Sequence, residues 1–300
     1  MQSNRNKSIF TLNCKGKVLI IKHPIIMGII NATPDSFFQA SRKETIKESL
    51  LKASEMIAEG ATILDIGGQS TKPGSLPISV EEELNRVIPM ISAISHSFPE
   101  TIISIDTYYS EVAKAAVENG ASIVNDISGG EFDEKMITTI AKLNVPYICM
   151  HIKGTPKTMQ ENPQYENLSK EILDYFIDKI NFCRSLGIKD IIVDVGFGFG
   201  KTIEQNYQLL KSLSVFEMLE CPLLVGISRK GMIYKPLNIN ADAALNGTTI
   251  INTIAIQNGA NILRVHDVKQ AVEAVKLLEH YNQGINDEVN STKLSFYKNY

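Results

Sequence analysis

Three stretches of the chain repeat one pattern: AEGATILD at residues 58–65, ENGASIVN at 118–125 and QNGANILR at 257–264. Each closes a helical stretch with a glycine, then runs through a short apolar segment to a polar residue. A glycine past the last helical turn takes the left-handed conformation that ends a helix. An apolar run without alternation suits a strand covered on both faces, as in parallel sheets. LGIKDIIVD (186–194) carries the same pattern with two residues more, and HPIIMGIIN (23–31), TIISID (101–106), VPYICMH (145–151) and CPLLVGIS (221–228) read as the same strand type. Helical periodicity fills the intervals. Ile46, Leu50, Ala53 and Ile57 form one stripe, and Val80, Leu84, Val87, Ile88 and Ile91 form another behind Ser79, which with Glu82 has the form of a capping box. Asp267 is placed to cap a last helix over 268–281. Eight β–α units in about 260 residues predict an α/β fold, a single (β/α)8 TIM barrel, with a doubly wound open sheet as the alternative. Two short strands around Lys15-Gly16 predict an N-terminal β-hairpin at the bottom of the barrel. The expected organisation is a hairpin segment over 1–22, the barrel over 23–282 and a polar, frayed tail over 283–300.

The composition removes several classes of function. The chain has 300 residues, 44% of them hydrophobic, with 30 basic and 33 acidic side chains and a formal net charge of −3. That balance gives no strong field for nucleic acid or an anionic membrane surface, so any anion has to be held by local groups. Cys14, Cys149, Cys183 and Cys221 are far apart and lack C-x-x-C or zinc-ligand spacing, which points to free thiols in a reducing compartment. MQSNRNKSIF at the start has no apolar signal core, and no apolar run approaches the roughly 20 residues of a membrane span. A soluble, cytoplasmic protein is expected.

Each apolar run gives way to polar residues at its C-terminal end: Asn31, Asp65, Asp106, Asn125 with Asp126, His151, Asp194, Ser228-Arg229-Lys230, and Arg264 with His266. In a barrel of this type the C-terminal strand ends form one mouth, from which catalytic residues are drawn. One such residue is ordinarily a cap or a loop hydrogen bond; eight in succession point to a site. DVGFGFGKT (194–202) is neither of the glycine motifs it suggests. Val195 stands where G-x-x-x-x-G-K-[ST] needs its first glycine, and Lys201 stands where G-x-G-x-x-G needs its third. Its glycines suit a tight turn passing close to a bound ring, with Phe197 and Phe199 as walls and Asp194 pointing into the pocket.

Asp106 and Asp194, with the amide of Asn125, match the donor-rich edge of a guanidine-like heterocycle, because a buried carboxylate without donors is costly. Lys230 is placed to donate to a ring carbonyl or nitrogen. Arg264 and His266, two apart on the eighth strand, read as a small anion clamp. Asn31 is a neutral oxygen ligand suited to a hydrated Mg2+. The composite ligand is a flat, amino-substituted heterocycle carrying a phosphate or diphosphate. His23, His96 and His280 read as solvent-exposed, His151 as supporting, and Cys149 and Met150 as lining or core. Asp65 reads as orienting the Gly67-Gly68 loop, and Arg229 equally as turned away into a surface pair.

The segments MGIINATPDSF (27–37), STKPG (70–74), ISIDT (103–107), VNDISGG (124–130), MHIKGTPKTMQ (150–160), DVGFGFGK (194–201), VGISRKGMI (225–233) and LRVHDV (263–268) stand in the order and spacing of one family. From about residue 12 to 280 the chain resembles dihydropteroate synthase, the folate-pathway enzyme targeted by sulfonamides. The resemblance implies a pterin-binding barrel that joins 6-hydroxymethyl-7,8-dihydropterin diphosphate to p-aminobenzoate, releasing diphosphate. It implies Asp106, Asn125, Asp194 and Lys230 as the pterin-binding set. Asn31, Thr71, Arg264 and His266 are implied for the diphosphate, with Asn31 as ligand of an Mg2+ cofactor. Phe37, Thr71, Phe199, Ser228 and Lys230 are implied around p-aminobenzoate, Arg264, His266 and Lys230 as catalytic, and a homodimer as the assembly. The implied reaction is dissociative: diphosphate leaves first, and the aryl amine attacks a cation delocalised into the pterin.

Two departures fall where the resemblance implies mobile loops. Phe38-Gln39-Ala40-Ser41 stands where the family has S-D-G-G, which removes an acidic residue. Gln69-Ser70-Thr71-Lys72-Pro73-Gly74 stands where it has E-S-T-R-P-G, and lysine lacks the bidentate fork of arginine. Both bear on loop closure and leaving-group handling. Asp194-Val195-Gly196 for D-P-G is a minor backbone change. The rival readings are a pterin-barrel methyltransferase with a corrinoid partner, against which the SRK and RVHDV segments stand, and a pterin-binding barrel without catalysis.

Overall fold

The computed structural model describes residues 9–32, 39–71 and 74–296, and the side chains within them other than those of 39–45 and 284–296. A hairpin comes first. Strands β1 (Phe10–Cys14) and β2 (Lys17–Ile21) pair antiparallel. Their two-residue turn puts both Lys15 and Gly16 at positive φ (55° and 90°), the backbone twist that tight hairpins favour. Alternation leaves Leu12, Cys14, Leu19 and Ile21 on the buried face.

Eight parallel strands come next: β3 (Ile25–Asn31), β4 (Ile63–Gly67), β5 (Ile102–Asp106), β6 (Ile123–Asp126), β7 (Tyr147–Met150), β8 (Ile191–Asp194), β9 (Leu223–Val225) and β10 (Ile262–Val265). They close into a barrel in chain order, β10 pairing with β3. The helices between and after them are α1 (Gln39–Glu59), α2 (Val80–Ser97), α3 (Ser110–Glu118), α4 (Met136–Leu143), α5 (Leu168–Ser185), α6 (Ile203–Lys211), α7 (Gly231–Tyr234), α8 (Leu245–Gln257) and α9 (Val268–Phe296), with a 3-10 segment at Leu213–Leu219. This is the predicted TIM barrel and not the open sheet.

Packing explains why the interior can be polar. The outward residues of the strands, such as Ile26, Leu64, Ile103, Val124, Cys149, Val193, Val225 and Leu263, join Ala53, Met56, Val87, Ile91, Ile172, Phe176 and Phe216 of the surrounding layer in one large core. A fully buried Val, Leu, Ile, Phe or Met side chain contributes about 1.5–3 kcal/mol, so this outer layer carries the stability. At the bottom of the interior, Met27, Ile63, Ile102, Ile123, Ile148, Ile192, Leu224 and Ile262, one from each strand, meet the hairpin's Leu12, Cys14, Leu19 and Ile21. The hairpin is therefore the expected plug. It is tied down where Asn13 N–H donates to Asp190 Oδ2 (2.8 Å) and where Lys15 Nζ donates to the Val117 carbonyl (2.6 Å).

Some boundaries differ from the sequence expectations. Strand β4 continues to Gly67, so Asp65 lies mid-strand. Ser79 caps α2 by accepting from Glu82 N–H (3.1 Å), while the Glu82 carboxylate turns to Arg86. Asp267 precedes the last helix but its side chain is bound to Arg229, and that helix runs on to Phe296, where the sequence predicts a frayed tail from Gln283. None of the described helices is long and apolar enough to cross a membrane.

Candidate active site

Stepping two residues up each strand from the bottom layer gives the next interior level: Ile29, Asp65, Ser104, Asn125, Met150, Asp194, Gly226 and Arg264. One step further stand Asn31, Gly67 and Asp106, which are in mutual register. The side chains at the C-terminal end thus converge because the strand period is two and the bottom of the barrel is already filled.

Arg264 organises the floor of this mouth. Its Nε donates to Asp65 Oδ2 (2.6 Å) and its Nη2 reaches Asp106 Oδ2 (2.5 Å), so one guanidinium bridges two acids. Asp65 is fully buried and also accepts from Asn125 Nδ2 (3.1 Å), leaving the carbonyl end of Asn125 for a ligand. Burial holds the Asp106 carboxyl above the usual carboxylate range, against the pull of Arg264. Asp65 is the residue whose role the sequence does not reveal directly: it is a buried orienter of Arg264 and Asn125, not of the loop after it. A signal is nevertheless present, since Asp65 is two residues beyond Ile63 and shares its face.

Asp194 lies opposite in chemistry. Its Oδ1 accepts from Gly196 N–H (2.8 Å), and burial raises its pKa while Lys230 works the other way. Lys230 donates to the Phe197 carbonyl (2.6 Å) and lies 4.6 Å from the centroid of the Phe199 ring. Burial pulls its pKa down to about 8, although Asp194 favours the ammonium. Phe199 packs with Tyr108, Ile127, Met150 and Met159 beside the mouth. Phe197 is a correction: its ring is in the outer core, and only its carbonyl serves the site.

The glycine loop is pinned from inside. Gly196, Gly198 and Gly200 have φ of 72°, 82° and 64°, and a Cβ on Gly196 would lie 1.9 Å from the His151 carbonyl oxygen. Lys201, 2% exposed, donates to the carbonyls of Gly196 and Phe199 (3.0 Å each) and to His151 Nδ1 (3.1 Å). A longer contact runs to the His151 carbonyl (3.5 Å), and burial pulls the Lys201 pKa down to about 7 although Asp194 favours the ammonium. Burial pushes the His151 imidazole down to about 2, so it is neutral. Thr202 then caps α6 in a reciprocal box with Gln205. The G-K-T triplet is therefore a loop staple and a helix cap. We expect Lys201→Met to speed amide exchange across residues 195–200 by at least about tenfold, because each orphaned carbonyl costs about 1–3 kcal/mol. Hydrogen-exchange mass spectrometry reads this, and unchanged exchange would remove the staple role.

At the rim, Ser228 Oγ accepts from His266 N–H (3.2 Å) and lies 3.1 Å from His266 Nδ1. The protein packed around the His266 ring, and after that Arg264, pushes the imidazole down to about 4. Arg264 is turned onto two carboxylates, and His266, exposed and past the strand end, is neutral. Arg229 makes the surface pair, bidentate with Asp267 (2.9 and 2.7 Å). Asp126 accepts from Ser128, Gly130 and Tyr147, shaping the loop after β6 and not the mouth. His23, His96 and His280 are exposed. Thr71 is half-buried on the segment after β4; Phe37 and Lys72 lie outside the described residues, as does the Gln39 side chain. No cluster of three or more His, Cys, Asp or Glu suited to a metal occurs among the described residues.

Residues 27–266 match the family model of the pterin binding enzymes. The dihydropteroate synthase of Escherichia coli K12 is 43% identical over 270 residues, covering 89% of this chain and 95% of that protein. The chain belongs to the dihydropteroate synthase family of pterin-binding enzymes. Its barrel superposes on a solved family member from Yersinia pestis, a dihydropteroate synthase in a sulfonamide drug complex, with TM-score 0.85, 38% identity, and 92% and 100% of the two chains covered. A second dihydropteroate synthase, from Xanthomonas albilineans in complex with 7,8-dihydropteroate, gives TM-score 0.81 at 33% identity over 91% and 99%. In this dihydropteroate synthase family member the mouth assembled from β4, β5, β6, β8 and β10 falls wholly within the matched segment.

Proposed function

We infer that the chain is a dihydropteroate synthase, condensing 6-hydroxymethyl-7,8-dihydropterin diphosphate with p-aminobenzoate to give dihydropteroate and diphosphate. The observation that carries this reading is the convergence of Asp106, Asn125, Asp194, Lys230 and Arg264 in one mouth above a plugged barrel. Asp194 and the free carbonyl of Asn125 suit the N–H donors of a pterin's amino-pyrimidinone edge, and Lys230 suits its ring carbonyl. Charge-assisted hydrogen bonds of this kind are the strong ones. Phe199, Ser228 and Thr71 border the place for p-aminobenzoate. His266 and Arg264 face the leaving group.

The residues do their work by position and charge. Holding two reactants in line offsets about 7–11 kcal/mol of the barrier, and donors fixed toward developing charge add to this. Mg2+ fits the site. Asn31 presents a neutral oxygen at the end of β3, and Gly67, lacking a Cβ, leaves the gap between Asn31 Oδ1 and Asp106 Oδ2 open. Asn31 would hold the ion, which, when bound, supplies positive charge to the diphosphate.

A homodimer is part of the same reading. It is supported by exposed apolar pairs on the adjacent helices α8 and α9, Ile250 with Ile254 and Leu277 with Tyr281. Sedimentation equilibrium at micromolar concentration is expected to give twice the chain mass, and the chain mass alone would refute the dimer. Residence in the cytoplasm is supported by four buried free cysteines. Competition between sulfonamides and p-aminobenzoate is expected at the Phe199–Ser228 pocket. The deciding experiment is diphosphate release from the dihydropterin diphosphate with Mg2+, with and without p-aminobenzoate. Amine-dependent release with dihydropteroate formed supports the function, and pterin binding without turnover overturns it in favour of a non-catalytic barrel.

A further inference from the structure

Glu83 is a buried acid outside the mouth of the barrel. It sits in the first turn of α2 and is fully enclosed. Its Oε2 accepts from Thr107 Oγ1 (3.1 Å), just after Asp106, and from Gln69 Nε2 (3.2 Å), two residues before Thr71. Gln69 Oε1 in turn accepts from Tyr108 O–H (2.9 Å), and Thr107 Oγ1 accepts from Tyr109 N–H (3.1 Å). The segment after β4 lies flush on this point: a Cβ on Gly68 would come within 2.9 Å of Glu83 Cγ and 2.7 Å of Val87 Cγ1. Arg86 Nη1 holds the Gly68 carbonyl (2.8 Å), and Tyr109 O–H holds the Ile78 carbonyl (2.9 Å) where the segment returns to α2. The loop that carries Thr71 is thus fastened at both ends, and Glu83 with Gln69 makes the inner fastening.

We propose that Glu83 is a positioning residue: it clamps the base of the 68–71 segment, through Gln69, to the segment after Asp106, through Thr107, and so sets where Thr71 stands over the mouth. This rests on the reading of Thr71 as a diphosphate contact. The chemistry of the clamp explains the glutamine at position 69, where the family resemblance has glutamate. The amide at position 69 donates to Glu83 and accepts from Tyr108 at once, which a carboxylate, having no proton to donate, does not do. The charged groups around Glu83 are Asp106 from β5 and Arg86 and Glu82 from its own helix, with Tyr108 and Tyr109 as the neighbouring phenols. Burial foremost, with the nearby Asp106 charge, raises the Glu83 carboxyl to about 8. Its Oε1 is buried with no partner, as befits a neutral acid better than an anion. A carboxyl raised above its unfolded value keeps its proton in the fold, so its contribution to stability is full at low pH and is lost as pH rises through about 8.

Binding calorimetry with dihydropterin diphosphate, and separately with 6-hydroxymethylpterin lacking phosphate, tests the clamp without needing turnover. Glu83→Ala and Gln69→Ala are expected to weaken the diphosphate ligand at least tenfold and to leave the phosphate-free pterin within twofold. Glu83→Gln, isosteric with the neutral acid, is expected to stay within threefold of the wild type for both ligands. Its Tm is expected to equal the wild type's at pH 5 and exceed it at pH 9. Equal loss of both ligands in the alanine variants, no loss of the diphosphate ligand, or a Glu83→Gln variant that behaves like Glu83→Ala would each overturn the proposal. Failure of the synthase reading itself would be distinct: the wild type would then bind pterin and release no diphosphate in the amine-dependent assay.

Discussion

Asp194→Ala is expected to weaken pterin binding by about two to four orders of magnitude while leaving the barrel folded. Each hydrogen bond to a charged group contributes about 1.5–3 kcal/mol, two such bonds about 3–6, and 1.4 kcal/mol is tenfold in affinity. The fold survives for an electrostatic reason. Burial raises the Asp194 pKa, so the folded protein carries the anion at a cost when no ligand is bound. Removing it relieves that cost. A raised carboxyl contributes less as pH rises through its folded pKa, so the variant should gain on the wild type toward higher pH. The bond lost within the protein is the one from Gly196 N–H, and Lys201 still pins that loop through the Gly196 and Phe199 carbonyls. Asp194→Asn keeps an acceptor for Gly196 and should fall between. Calorimetry with 6-hydroxymethylpterin reads all three, and an alanine variant with wild-type affinity would take Asp194 out of the pterin site.

Asp194 also marks the line between what is legible in the sequence and what is not. Its apolar run, its polar end and the glycines after it are consecutive in the chain, and so is every signal that gives the eight strands. A helix stop leading into a strand is local chemistry. Closure of the sheet comes from counting those units, because eight is the number at which the interior of a small barrel fills with side chains. Asp65 reads as a strand end because a polar residue breaks the apolar run there, whereas two more residues of strand lie beyond it. The period of two, counted from Ile63, turns it inward.

The partners are not legible at all. Asp65 and Arg264 are 199 residues apart, Lys201 and His151 are 50 apart, and Glu83 meets Gln69 and Thr107 from a helix between them. Such pairs exist only after the barrel closes. Phe197 and Phe199 mislead for a related reason. Two residues apart on an extended chain they would share a face, but the positive φ of Gly198 between them reverses the backbone and sends one ring into the outer core.

The longest of these links gives the second large effect. Arg264→Ala is expected to destabilise the fold by about 3–5 kcal/mol at pH 7, since removing one member of a buried ion pair strands the other. Here two carboxyls lose the partner they share, because Asp65 is fully buried and Asp106 is its neighbour in the floor. Asp106 is already held above the usual carboxylate range by burial, and Arg264 is the main influence in the other direction. Without the guanidinium Asp106 keeps its proton to still higher pH, so the variant's stability is greatest at low pH and falls as pH rises through that shifted value. Urea denaturation at pH 5 and pH 8 should therefore find the loss smaller at the first than at the second. Arg264→Lys should recover only part, because one ammonium lacks the planar fork that spans two carboxylates. Adding Asp65→Asn to Arg264→Ala removes one stranded charge and keeps an acceptor for Asn125, so the double variant should be more stable than the single one. A double variant weaker than Arg264→Ala would mean that Asp65 stabilises the floor through Asn125 and not through Arg264. The same pairing ties stability to the proposed function, since Asp106 and Arg264, both proposed as ligand contacts, hold each other in place.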